Sequence, residues 1–235
     1  MRITKLLLSL PLVLSAAVVH AHGNVTPQAV DTSSIPALGE EWLEENPWRD
    51  PASDTWEKAV ALGASAYNQN CARCHGLEVV SGGLAPDLRL LSADEDGDEW
   101  YLERYRNGMT QNGITKMPGF GDLLGQETAW AIRTYTETRP EDDAFSGSQS
   151  RLLEIRTQLE AWSSEVSAGT DPATLAEQSA QLQTELLAIN DAAKTASGAP
   201  KAESAISRAA LALNGEASSF KHAAEQLTIG MSAAR

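Results

Sequence analysis

The run Cys71-Ala72-Arg73-Cys74-His75 uses both cysteines of the chain and constrains it more than any other feature. Two thiols three positions apart lie on one helical turn, and an imidazole follows at once. This C-x-x-C-H arrangement is the one through which a c-type haem is attached: each thiol bonds one vinyl group and the histidine faces the iron. Other readings of paired cysteines leave something over. A disulfide or thioredoxin-like pair gives His75 no role and expects a βαβ pattern that is absent. A zinc site needs four ligands, and no second Cys/His pair exists. One covalent haem c per chain is therefore expected, on Cys71 and Cys74 with His75 on the iron.

The start of the chain agrees with that chemistry. Met1-Arg2-Ile3-Thr4-Lys5 is short and basic, Leu6 to Leu14 is apolar, and Val19-His20-Ala21 has the small-x-Ala form of a cleavage site. Residues 1–21 read as a secretory signal peptide, too short in their apolar part for the roughly 20 residues of a membrane span. Because bacteria attach haem c outside the cytoplasmic membrane, a periplasmic protein is expected. Without Arg2 and Lys5 the formal charge of −14 becomes −16. Such acidity argues against nucleic acid or anionic lipid as partner and favours either a basic docking partner or plain solubility.

Composition divides the remainder. Residues 22–53 hold Pro27, Pro36, Pro47 and Pro51 without periodicity and read as an extended N-terminal arm, wrapped or loose. Residues 54–145 form the haem domain. Ser146-Gly147-Ser148-Gln149-Ser150 reads as a linker into 146–235, where Ala, Leu, Gln, Glu and Ser dominate. Three apolar stripes predict three helices there: Leu152, Ile155, Leu159, Trp162 and Val166; Leu175, Leu182, Leu186 and Ile189; Ile206, Ala209, Leu213, Phe220, Ala224 and Leu227. Asp171-Pro172 starts the second as capping residue and first-turn proline. Each stripe must close on its neighbours, on the haem domain or on another molecule, and an antiparallel bundle is expected.

An electron-transfer haem needs a second axial ligand, and a thioether raises its potential. Met117 is the leading candidate, in the Pro/Gly-rich loop Lys116-Met117-Pro118-Gly119-Phe120-Gly121; Met109, Met231 and an open position are the alternatives. The chain here resembles the class I cytochromes c over Trp56 to Thr138. Gly63 and Tyr67 stand before Cys71 as G-x-x-x-aromatic-x-x-x-C, Ala85-Pro86-Asp87-Leu88 is similar to the family's G-P-N-L segment, and the Met117 loop leads into a last helix at Thr128 to Thr138. The resemblance implies an all-α, class I cytochrome c fold ahead of the helical segment. It also implies that Gly63 and Tyr67 cross that last helix near Trp130, Ile132 and Tyr135. The Pro86 carbonyl would accept a hydrogen bond from His75. Trp100, Tyr101 and Tyr105 belong to a middle helix, where they line the pocket or pack.

More narrowly, Trp56, the Gly82-to-Arg89 stretch and the Lys116-to-Gly121 loop are similar to the cytochrome c-550 acceptors of quinoprotein alcohol dehydrogenases. That resemblance implies a periplasmic dehydrogenase carrying pyrroloquinoline quinone as electron donor, a terminal oxidase or other cytochrome as acceptor, and no catalysis by the chain itself. A haem enzyme or gas sensor with an open or displaceable axial site is the alternative. Two further clusters carry possible metal ligands. Asp94-Glu95-Asp96-Gly97-Asp98-Glu99 has the oxygen density of a calcium loop, but Gly97 is misplaced and the twelfth position is Tyr105, so a solvated acidic loop is expected. Cleavage after Ala21 would expose His22, whose amine and ring could bind copper only with help from distant His222.

Overall fold

The computed structural model describes residues 27–233 apart from Gly215, so the expected signal peptide and His22 lie outside the described residues. Helix α1 runs over Trp56–Asn70 and is followed directly by the single turn α2 at Ala72–His75. Helix α3, Glu95–Asn107, is capped by Asp94, whose carboxylate accepts from Gly97 N at 3.0 Å. The expected solvated acidic loop is therefore largely the first turn of a helix, and Asp98 within it is wholly buried.

Strands β1 (Met109–Gln111) and β2 (Ile114–Met117) form an antiparallel hairpin, with Met109 opposite Met117. The Pro- and Gly-rich sequence around Met117 predicts a loop. Met117 closes a strand instead, because Asn112 and Gly113 take positive φ at 52° and 74° and turn the chain tightly between the paired residues Gln111 and Ile114. Helix α4, Gly121–Glu137, starts earlier than expected and bends at Gly125 (φ 71°). Helices α1 and α4 cross at Gly63, where an added Cβ would lie 1.9 Å from Ala131 O and 2.8 Å from Tyr135 Cβ.

The N-terminal arm wraps this module. Its lack of periodicity is explained by side chains of α4 that bind its backbone: Leu38 N donates to Glu127 Oε1 (2.9 Å), Leu43 N to Gln126 Oε1 (3.1 Å), and Gln126 Nε2 to Gly39 O (2.7 Å). Ile35 and Trp48 enter the core. Arg49 reaches wholly buried Asp98 at 2.8 Å, and Arg133 of α4 reaches the same carboxylate at 2.8 Å.

Beyond the module, Ser146–Ser148 is a tight turn that runs straight into α5 (Gln149–Ser167), not a free linker, and Phe145 before it is buried in the second core. Asp171 caps a turn at Pro172–Leu175 that feeds α6 (Ala176–Asp191). The third expected helix is two, α7 (Ala205–Ala212) and α8 (Ala217–Ala233), because the segment around Asn214 leaves the helical path. Helix α8 packs on α5 and α7, and α6 packs on α7. Their core holds Leu152, Leu159, Trp162, Leu186, Ile206 and Phe220, with the Trp162 and Phe220 rings edge to face at 5.4 Å.

This bundle closes on itself and on the first module together. Ala202 N donates to Thr138 O (3.4 Å), Ser197 Oγ to Glu137 O (2.5 Å), and Pro140 pairs with Thr195 across an isolated bridge. Among the described residues no helix is long and apolar enough to cross a membrane.

Candidate functional site

Helix α1 ends at Cys71, whose N–H still donates to Tyr67 O at 2.8 Å, and α2 then carries Cys74 and His75 on its one turn. Both thiols are free and half-buried. Burial of its sulfur, with a smaller contribution from neighbouring Cys74, pushes the Cys71 thiol up to about 12. Glycine at 76 is required twice over. Its φ is 83°, and a Cβ there would sit 1.9 Å from Val80 O.

The structure brings His75 and Pro86 together, with Nδ1 at 2.9 Å from the Pro86 carbonyl oxygen. A carbonyl only accepts, so Nδ1 carries the proton and Nε2 holds the free lone pair. Burial pushes the His75 pKa below its ordinary value; the bond to Pro86 opposes this but does not win. A neutral imidazole with its lone pair on Nε2 is the form that binds a metal.

Met117 is half-buried and packs against the same core as Cys71 and Ala72. The residues after it are pinned to the end of α3: Phe120 N donates to Tyr105 O at 2.8 Å, and the two rings lie 5.9 Å apart. Met109, its strand partner, is 42 % exposed, and Met231 belongs to the second core. Tyr101 and Tyr105 are buried, and burial raises the pKa of both phenols, so they stay neutral. Trp100 departs from the expected pocket: it faces outward, 40 % exposed, beneath the Arg104 guanidinium at 5.7 Å. That follows from its place on α3, one position before the buried Tyr101.

The residues fit a covalently held haem. Two thiols and an imidazole with a free Nε2 lie together at the α1–α2 junction. In addition, the indole N–H groups of Trp56 and Trp130 are buried in this module without an acceptor. A group bearing carboxylates supplies acceptors of the kind such donors need.

Sequence reasoning missed the ionic parts. Asp98, Arg133 and Glu137 are wholly buried together, and Glu78 is joined to Arg139 and to Arg208 of α7. The signal was present in Ala131-Ile132-Arg133-Thr134-Tyr135, a charge inside an apolar helix face.

Comparison with known proteins adds three findings. A family model described as cytochrome c oxidase, cbb3-type, subunit III matches residues 58–135. Cytochrome c550 of Pseudomonas aeruginosa is 57 % identical over 118 residues, covering 50 % of this chain and 81 % of that protein. Two quinohemoprotein alcohol dehydrogenases of Pseudomonas putida are similar over shorter stretches. ADH-IIG is 32 % identical over 94 residues and ADH IIB 34 % over 84; these cover 40 % and 36 % of this chain but only 12 % of each dehydrogenase. No solved structure matches.

Proposed function

This chain belongs to the cytochrome c550 family, and from that premise we propose that it is a periplasmic shuttle taking single electrons from a quinoprotein alcohol dehydrogenase to a downstream acceptor such as a terminal oxidase. Family membership itself makes it a monohaem c-type cytochrome of electron transfer, with covalently bound haem c. When bound, the haem supplies a one-electron iron couple.

The observation that carries the proposal is the fixed tautomer of His75, whose Nδ1 is committed to Pro86 O and whose Nε2 is left for iron. Cys71 and Cys74, at the α1–α2 junction, would tether the group. Met117 would hold the iron through its thioether sulfur, a ligand that favours the ferrous state. With His75 and Met117 both holding the iron, no place would remain on it for a substrate or gas, which suits an electron carrier rather than an enzyme or sensor. The donor assignment is supported by the dehydrogenases that contain a related stretch of sequence. The acidic surface of the chain suits a basic docking partner.

Substituting Met117→Leu tests the ligand. The long-wavelength charge-transfer band of the ferric protein, which reports sulfur on iron, is expected to vanish while covalent haem remains; a band unchanged in M117L refutes the assignment. Stopped-flow reduction by quinoprotein alcohol dehydrogenase tests the donor. Its second-order rate is expected to fall steeply between about 10 mM and 150 mM salt as the screening length shrinks from ~30 to ~8 Å. Failure of the dehydrogenase to reduce the protein at any salt rules that donor out.

A further inference from the structure

Two segments set the position of His75, and the C-terminal helices hold both. The first is Gly76 to Val80. Within it Glu78 and Val79 have φ of 54° and 65°, a left-handed conformation that a β-branched residue adopts only where its surroundings enforce it. Several contacts do so here. Val79 is wholly buried, Tyr67 Oη donates to Gly76 O at 2.7 Å, and the Glu78 carboxylate is gripped from two sides. Arg208 of α7 binds one oxygen, and Arg139 Nη1 lies 3.5 Å from the other. Glu203 closes the ring, 3.4 Å from Arg139 and 3.6 Å from Arg208.

The second segment carries Pro86, the acceptor for His75. Arg89 is almost wholly buried and anchors it: Nε donates to Asp87 Oδ1 (3.0 Å), Nη1 to Pro140 O (3.0 Å), and Nη2 binds Asp142. The strip Pro140–Glu141 is in turn fastened to the bundle, since Glu141 N donates to Lys194 O at 2.9 Å beside the Pro140–Thr195 bridge. The C-terminal segment thus grasps one flank of the histidine directly, through Arg208 of α7, and the other through one intermediary that is fastened to the connection between α6 and α7.

We infer that the C-terminal helices are a clamp on the histidine side of the haem, with Glu78 and Arg208 as the positioning pair through which they set its reduction potential. The inference rests on His75 being the imidazole ligand. An imidazole donates to iron according to its orientation and the strength of its outer hydrogen bond, and both depend on how firmly these two segments are held. The matched family model ends at residue 135, so the clamp is built by a part of the chain outside that match.

Spectroelectrochemical titration of the full-length holoprotein tests this, comparing wild type with R208Q, R208K, E78Q and E78Q/R208Q. R151A is the control, because it breaks the 2.7 Å pair to Glu185 between α5 and α6 without touching the junction. In R208Q the ferrous-to-ferric ratio at fixed ambient potential is expected to move by about threefold or more, which is about 28 mV for a one-electron couple. R208K should lie nearer wild type, and the double variant should not show the sum of the single shifts. Amide exchange at residues 77–80 should quicken in R208Q and not in R151A. An R208Q potential equal to that of wild type, or a shift reproduced by R151A, overturns the clamp. A wild-type low-spin spectrum surviving H75A would remove the ligand assignment and the inference with it; an altered H75A spectrum beside an unmoved R208Q sinks the clamp alone.

Discussion

Gly63 shows how one missing methyl group fixes the geometry around the haem-bearing turn. The nearest atoms to a Cβ at this position are Ala131 O at 1.9 Å and Ala131 C at 2.5 Å, both backbone and unable to rotate aside. Helices α1 and α4 would have to separate, and α1 is the helix that ends in Cys71. G63A is expected to lower stability by roughly 1–3 kcal/mol, the usual cost of forcing volume into a packed contact. Chemical denaturation followed by tryptophan fluorescence measures it, and a midpoint equal to wild type would show that the crossing can open freely. Gly63, Tyr67 and the C-x-x-C-H run were legible in the sequence because their relation is local, one helical turn after another. The Asp98–Arg133–Arg49 group was not, since its members lie 35 and 49 residues apart and only the fold makes them neighbours.

At the scale of elements, the apolar periodicity found every helix of the tail but joined two of them. From Leu213 to Phe220 the spacing keeps the helical phase across the break, so the stripe alone reads as continuous; Asn214-Gly215 was the turn signal that outweighed it. The result is α7, eight residues long and too short to hold its shape unaided. Its stability comes from its start. Ser204 Oγ accepts from Ile206 N (3.1 Å) and Ser207 N (3.3 Å) and donates to Asn190 Oδ1 at the end of α6 (2.8 Å), while Ser207 Oγ returns the favour to Ser204 N (2.8 Å). S204A removes a helix cap and orphans a buried amide oxygen, and a loss of about 1–2 kcal/mol is expected. Because α7 carries Arg208, the same variant should quicken exchange at the Glu78 loop. Hydrogen exchange followed by mass spectrometry would detect this, and normal protection there would mean that α7 is held by its packing alone.

For the whole molecule the question is whether the helical tail is a separate body. Its composition changes sharply after Ser146, which on sequence grounds predicts that the haem module stands without it. The junction makes that independence partial. Arg139 has no exposed surface, and one of its two carboxylate partners, Glu203, comes from the tail. Ala93 N donates to Ser197 O at 3.1 Å, and the carbonyls of Glu137 and Thr138 at the end of α4 accept from Ser197 and Ala202. Which surface the apolar stripes would cover could not be read from their spacing, because a stripe records that a face is buried and not against what. Ending the chain before Ser146 leaves the thiols, His75, Pro86 and Met117 in place, so haem attachment and the low-spin spectrum are expected to survive. It also uncovers Arg139 and frees Glu78 from Arg208. For a domain of this size each 1 kcal/mol lost lowers Tm by roughly 4–8 °C, so a drop of that order or more is expected in a thermal melt read at the haem band. An unchanged Tm would mean that the tail merely rests on the module, and failure to retain haem would mean that it completes the core.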